Sequence, residues 1–440
     1  MVGSFVLFAI LKFPISVSLM LSAIIGAISS GNFFPLRHIV EGGFGYIDAI
    51  LVIATAMIFM ETIKLSGLLE DLAYRLSKGF KNRPVFLLMI MTFFIMSAGM
   101  ITGSSSAAVL TTGAIAFPVL TQLGLSKRKS GALIAMAAIF GMIAPPVNIP
   151  AMIIGQGVDM PYIGFDNPLL LLTFPLAIIT ALLIGFKDVK PIKVQEKKSL
   201  NRGMGNIVLL YSPMIVLILL MGIENTTFSL SLGLPLIFMI SALLSCFTGK
   251  KPNFLKASFK ALKESVNILS ILIGVGMFIQ IMTLNGTRGF IVDFLNSLPP
   301  SVLMVGIAIG VPLFGAVSSY GAASVLGVPF LLAFLGNNDI VVCASLSLLA
   351  GLGDMVPPTA LAGIFAAHVV GEKNYFTIWL RALPSFFITM LYASLTLYYS
   401  KQIGYVVNSP MFLLVFFGII VLFGVTLLLT DRVRFRRVKL

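Results

Sequence analysis

Long apolar runs follow one another along the chain, parted by short polar segments. That pattern predicts membrane-crossing helices, at ~20 residues each. Val2–Ile28 comes first, interrupted by Lys12 and Pro14, so one kinked span and a short segment plus a span both fit. A Gly-rich loop is expected over 30–47, a span over Ile50–Leu65, and an amphipathic surface segment over Leu68–Lys81 with Glu70, Asp71, Arg75 and Lys78 on its polar side. Pro84–Met100 and Ser105–Leu120 are slightly short apolar arms around Thr102–Ser106, which implies a re-entrant hairpin. Gly131–Gly157 then crosses with a break at Pro145-Pro146, and Leu169–Gly185 returns. Beyond a polar stretch at 187–202 come spans at Ile207–Met221 and Phe228–Phe247, a basic surface segment Lys250–Glu264 and a span Val266–Thr283. Two short arms, Ser301–Gly315 and Ala322–Leu335, flank Ser318–Gly321, and Ile340–Val370 crosses with a break at Pro357-Pro358. Tyr375–Tyr399 and Met411–Leu429 complete the pattern. The runs do not alternate polar and apolar residues, which excludes a transmembrane β-barrel.

Composition agrees: of 440 residues 58% are hydrophobic and only 10% charged. A soluble domain carries far more charge. The net charge of +14 sits in the short loops and not in a nucleic-acid-binding face. If residues 75–83 are cytoplasmic, so are 127–129, 187–202, 250–263 and the tail from Arg432, and these hold 23 of the 30 Lys and Arg. The other side keeps Arg37, Arg288 and Lys401 beside Asp159, Asp166 and Glu224. The positive-inside rule therefore places a multi-pass protein in the cytoplasmic (inner) membrane with a cytoplasmic C-terminus. Val2–Ile28 has no cleavage-site pattern and is read as retained. Two cysteines, Cys246 and Cys343, both within apolar runs, exclude a disulfide framework and a metal cluster.

The second half retells the first. Leu65-Ser66-Gly67 returns as Leu284-Asn285-Gly286, Ser104-Ser105 as Ser318-Ser319, and Gly141–Pro146 as Gly353–Pro358, each 212–219 residues later. Counting crossings puts the second hairpin on the opposite face. The expected fold is an all-α polytopic membrane protein built as an inverted repeat, with two re-entrant helical hairpins and two broken transmembrane helices, a plan shared by many secondary transporters. Its parts are a first repeat over 1–186 (cytoplasmic-side hairpin about 84–121, broken helix about 131–157), a cytoplasmic linker over 187–205, a second repeat over 206–400 (outer-side hairpin about 300–336, broken helix about 340–370), and a C-terminal helix with basic tail over 401–440.

Backbone that leaves the helix inside a membrane survives only against protein or in a wet cavity. Glycine and serine tips turn hydroxyl and carbonyl oxygens inward, and hard cations such as Na⁺ prefer oxygen. The freed N–H groups after a break suit a carboxylate. Candidate cation ligands are Gly103, Ser104, Ser105, Pro145, Asn148, Ser318, Ser319, Asp354, Pro357 and Thr359. Candidate substrate contacts are Ser106, Pro146, Ser324 and Pro358. Small residues also serve plain helix packing and prolines plain kinks; the pairing of both features in both halves favours a transport site. Asp354 is the acidic residue next to a break, where buried charge marks function or a hydrogen-bonded structural role. Glu61 and Lys64 read as a helical ion pair.

Phe59-Met60-Glu61, Ser66-Gly67, Thr102–Ala107 and Gly141…Pro145-Pro146 together resemble the large membrane (permease) subunit of TRAP (tripartite ATP-independent periplasmic) transporters, within the ion-transporter superfamily. The resemblance runs from about Val2 to Leu429. It implies an elevator-type, Na⁺-driven importer of organic acids, with a small membrane subunit and a periplasmic substrate-binding protein as partners. It maps the family's tip serines and Pro-Pro break onto Ser104, Ser105, Pro145 and Pro146, with Pro357 and Pro358 in the second half. The chain departs from the pattern at Val147-Asn148 and at Val317-Ser318-Ser319-Tyr320-Gly321. The expected function is Na⁺-coupled import of a small organic anion, carboxylate- or dicarboxylate-like, with no enzymatic activity and no cofactor. One alternative is a stand-alone carrier of the same superfamily with no binding protein. A remote one is a membrane-embedded serine hydrolase at Gly103–Ser106, which needs a histidine base from His38 or His368.

Overall fold

The computed structural model describes residues 1–194, 204–224, 232–334 and 336–436, and these are helical throughout, with no strand among them. Six helices among the described residues are long and apolar enough to cross a membrane: Ile47–Ser66, Pro84–Thr102, Asp166–Gly185, Phe254–Leu284, Phe376–Tyr398 and Phe412–Val433. Shorter apolar helices lie between them. The chain is an all-helical, multi-span membrane protein. Part of the expected linker and tail, with Lys197, Lys198, Arg202, Arg437 and Lys439, lies outside the described residues, as does residue 335.

The helices sort into two groups. In one, Phe254–Leu284 packs on Ile15–Ser29, Leu36–Phe44 and Ile47–Ser66, and Leu234–Ser245 joins Ile47–Ser66 to Met204–Glu224. In the other, Lys127–Ile143 is the centre. All its residues from Ser130 to Ile143 are buried, against Pro84–Thr102, Asp166–Gly185, Leu361–Val370 and Phe376–Tyr398.

Three expectations need correcting. Residues 36–44 form a helix, not a loop. Its glycines serve packing: a Cβ on Gly42 would lie 2.6 Å from the Gly276 carbonyl oxygen, so only glycine lets these two helices meet. The basic segment at 250–264 is not a separate surface element, because Phe254–Leu284 is one 31-residue helix. Asp71 does not face the polar side of Leu68–Gly79. It is fully buried, accepting from Arg75 Nε (2.6 Å) and from the Tyr211 hydroxyl (2.9 Å), so it ties the amphipathic helix to Met204–Glu224. A buried carboxylate needs such partners. The first apolar stretch is two helices, Val2–Ile10 and Ile15–Ser29, parted at Lys12 in a left-handed conformation.

The basic segments meet at one end of the molecule. Ile192 N–H donates to the Lys81 carbonyl (3.0 Å), Lys190 N–H to Leu123 (2.8 Å) and Lys250 N–H to Ser66 (3.1 Å). Lys129 pairs with Asp188, and Arg128 with Glu372 at 3.4 Å. Asp431 accepts from the N–H groups of Val85 (3.2 Å) and Phe86 (3.0 Å), capping the start of Pro84–Thr102 from the far end of the chain. At the opposite end Asn167 reaches the Val407 carbonyl (2.8 Å), and Gly404 lies against Asn338.

Candidate functional site

Pro84–Thr102 stops at Gly103, whose left-handed conformation (φ +62°) turns the chain. A new helix starts at Ser105, widens into a π-helical stretch over Val109–Gly113 and continues through Ala114–Gln122. Ser104 caps it, accepting from Ala107 N–H at 3.3 Å. The second half repeats the design: Pro300–Gly315, a tip at Ser318 that accepts from Gly321 N–H (3.1 Å), a helix from Ser319, and a π-helical stretch over Ala323–Gly327.

The two interrupted helices match as well. Lys127–Ile143 ends at Ala144, and Ile149–Gln156 restarts under an Asn148 cap that accepts from Ala151 N–H at 2.9 Å. Asp339–Leu352 runs into a 3₁₀ turn at Gly353–Met355, and Leu361–Val370 follows. Both Pro-Pro bonds are cis. Each break hydrogen-bonds to its own hairpin at matched positions. Val147 N–H donates to Met100 (3.2 Å) and Thr359 N–H to Ala316 (3.2 Å), where the Thr359 hydroxyl adds a second bond (2.7 Å).

Glycine pairs make these contacts close. A Cβ on Gly99 would lie 2.7 Å from the Gly141 carbonyl carbon, and one on Gly353 only 2.2 Å from that of Gly315. The broken helices run antiparallel: Gly131 lies against Val370, Gly351 against Ile143, and Gly164 against Ile340.

All four interruptions meet. Ser105, on the first tip, donates to the Asp354 carboxylate in the second break, and Ser319, on the second tip, is another hydroxyl against that carboxylate. Tyr320 Oη donates to the Gly103 carbonyl at 3.3 Å, joining tip to tip. Asn148 Nδ2 donates to the Ile143 carbonyl (3.0 Å) and to Ser347 Oγ (2.9 Å), fixing the first break to the opposite broken helix. Asn148→Ala removes the cap and these bonds, a loss of about 1–2 kcal/mol. A lower melting temperature in detergent is the expected result.

Most of the sequence candidates fall into this cluster: Gly103, Ser104, Ser105, Asn148, Ser318, Ser319, Asp354 and Thr359. Ser106 stays on its own tip, 3.0 Å from Ser104 Oγ. Ser324 is turned away, donating to the Gly321 carbonyl within its own helix (3.0 Å). Pro145 and Pro146 line a cavity of about 630 Å³ against Met214, Leu217 and Met221. Pro358 is exposed and Pro357 half-buried. No group of three or more His, Cys, Asp or Glu suited to a metal occurs among the described residues.

Tyr320, Ser347 and Lys260 were not singled out from the sequence. Glu61, 4% exposed, is held by Lys260 from another helix at 2.7 Å more closely than by Lys64 at 3.4 Å. Glu61 and Lys64 line a cavity of about 160 Å³ together with Thr102, Ala107 and Thr111 beside the first tip.

A family profile described as "Tripartite ATP-independent periplasmic transporter, DctM component" matches residues 2–403. A curated relative, the isethionate TRAP transporter permease protein DctMQ of Oleidesulfovibrio alaskensis, is 30% identical over 151 residues. That match covers 33% of this chain and 23% of the relative, so it spans about a quarter of that protein's length. Among solved structures, the Alcanivorax borkumensis YdaH transporter is similar in fold, with a TM-score of 0.60 over 84% of this chain and 88% of that one at 16% identity.

Proposed function

Since this chain belongs to the family of the DctM component of tripartite ATP-independent periplasmic transporters, we propose that it imports a small organic anion coupled to Na⁺ by an elevator mechanism. Family membership makes it a transporter component and not an enzyme, so the hydrolase reading of Gly103–Ser106 falls. The observation that carries the proposal is the meeting of two tips and two helix breaks around Asp354. Oxygen from hydroxyls, turned carbonyls and one carboxylate is the donor set a hard cation takes. Helices that begin at Ile149 and Leu361 point their positive ends toward the same region, which suits an anion.

The coupling sites in this reading are Gly103–Ser105 with Pro145 and Asn148, and Ser318-Ser319 with Asp354, Pro357 and Thr359. Ser106, Pro146 and Pro358 face the anion; Ser324 is the weakest of the substrate candidates, since its hydroxyl is taken by its own helix. The antiparallel broken helices and the opposed hairpins support an inverted repeat, with residues 1–186 and 206–400 as its halves. The group centred on Lys127–Ile143 would slide, as one body, against the group centred on Phe254–Leu284. The basic end, by the positive-inside rule, is cytoplasmic. The name of the curated relative supports isethionate or a similar small anion as cargo. A small membrane subunit and a periplasmic binding protein complete the system in this proposal.

Reconstituted in vesicles with those partners, the chain is expected to take up a labelled organic anion only down an inward Na⁺ gradient. Ser104→Ala and Ser318→Ala should each lower uptake about tenfold, the scale of one lost hydrogen bond and cap. Equal uptake without the gradient, and in both variants, would refute Na⁺ coupling at these tips.

A further inference from the structure

We propose that Tyr320 tells the second hairpin tip whether a cation occupies the first, because its phenol and the cation compete for the Gly103 carbonyl. This rests on the cation-coupled reading above. Gly103 sits at the C-terminal cap of Pro84–Thr102, where carbonyls leave the helical ladder and seek other partners. A cation bound at that tip draws on such an oxygen. The Tyr320 hydroxyl already donates to it at 3.3 Å across a sequence separation of 217 residues. A phenolic proton aimed at the carbonyl stands where the cation would approach, and like charges repel in a medium that screens them poorly. Binding of the cation therefore turns the phenol away and cuts a tip-to-tip bond. Loss of the cation restores it.

The two tips are unequal in this respect. Ser106, which the repeat matches to Tyr320, keeps its hydroxyl 3.0 Å from Ser104 Oγ on its own tip. Tyr320 alone of the matched pair is long enough to reach the opposite hairpin. The arrangement thus passes a signal in one direction, from the first tip to the second. Ser105 and Asp354 form the other link between first tip and second half, and it survives when Tyr320 lets go.

Equilibrium binding of radiolabelled Na⁺ to the purified full chain tests this without knowledge of the organic substrate. In Tyr320→Phe the competitor is gone and the ring remains, so the half-saturating Na⁺ concentration should fall about three- to tenfold, the range for one hydrogen bond. Tyr320→Leu should shift it in the same direction if the ring itself is dispensable for the fold. A gain in affinity is not what a merely loosened tip produces. An unchanged value in Tyr320→Phe overturns the competition, and a raised value does so by making the phenol oxygen a cation ligand. Absence of saturable Na⁺ binding in the unaltered chain fails the cation-coupled reading itself, and is told apart from the other outcomes by that control.

Discussion

Asp354→Asn is expected to raise the Na⁺ concentration for half-maximal uptake by about 10- to 100-fold while leaving the protein assembled. The substitution keeps the shape and an acceptor for Ser105 and Ser319 but removes the charge. A hydrogen bond to a charged group supplies about 1.5–3 kcal/mol, and a cation at this place would lose a comparable attraction. Asp354 is 3% exposed and lies within a span, where an acidic group is costly unless something offsets it. The measurement is a Na⁺ titration of uptake beside size-exclusion profiles of both proteins. An Asn variant with the same Na⁺ dependence would show Asp354 to be a structural brace between the tips and nothing more.

The second large effect is steric. Gly353→Ala puts a methyl group 2.2 Å from the Gly315 carbonyl carbon, a backbone atom that moves only if the whole hairpin arm moves. Overpacking at a rigid contact costs about 1–3 kcal/mol or more. Here it also pries Asp354, the next residue, from the tips. Uptake should fall at least tenfold and the melting temperature should drop. Gly310→Ala is the control, in the same arm as Gly315 but with nothing within 4 Å of its added Cβ. Similar behaviour of the two variants would contradict the close-contact account.

Much of this design was legible because membranes punish loose backbone. A Gly-Ser run or a Pro-Pro pair stands out inside apolar sequence, and their recurrence 212–219 residues later marks a repeat. Long-range partners were not legible. Nothing near Ser105 in sequence names Asp354, and nothing near Asn148 names Ser347, since those pairings exist only once the two broken helices lie antiparallel. Glu61 was paired with its helical neighbour Lys64 for the same reason, whereas the closer partner is Lys260. Glycine misled in one place. Gly42 and Gly43 read as a loop, because glycine is both a helix breaker and the residue that lets two helices touch. The amphipathic reading of Leu68–Gly79 erred at Asp71, because a carboxylate with a tyrosine and an arginine waiting for it can be buried.

The π-helical stretches Val109–Gly113 and Ala323–Gly327 each fit one more residue into a turn than an α-helix holds. Removing a single residue from either would let the arm relax to α geometry, rotating everything on one side of it by about 100° relative to the other, since 3.6 residues make a turn. The serines at each tip would then point at a neighbour's flank instead of the centre. Chain length in these five-residue windows is thus as constrained as side-chain identity. A chimera that exchanges hairpin arms between relatives has to be joined outside them to keep the tips in register.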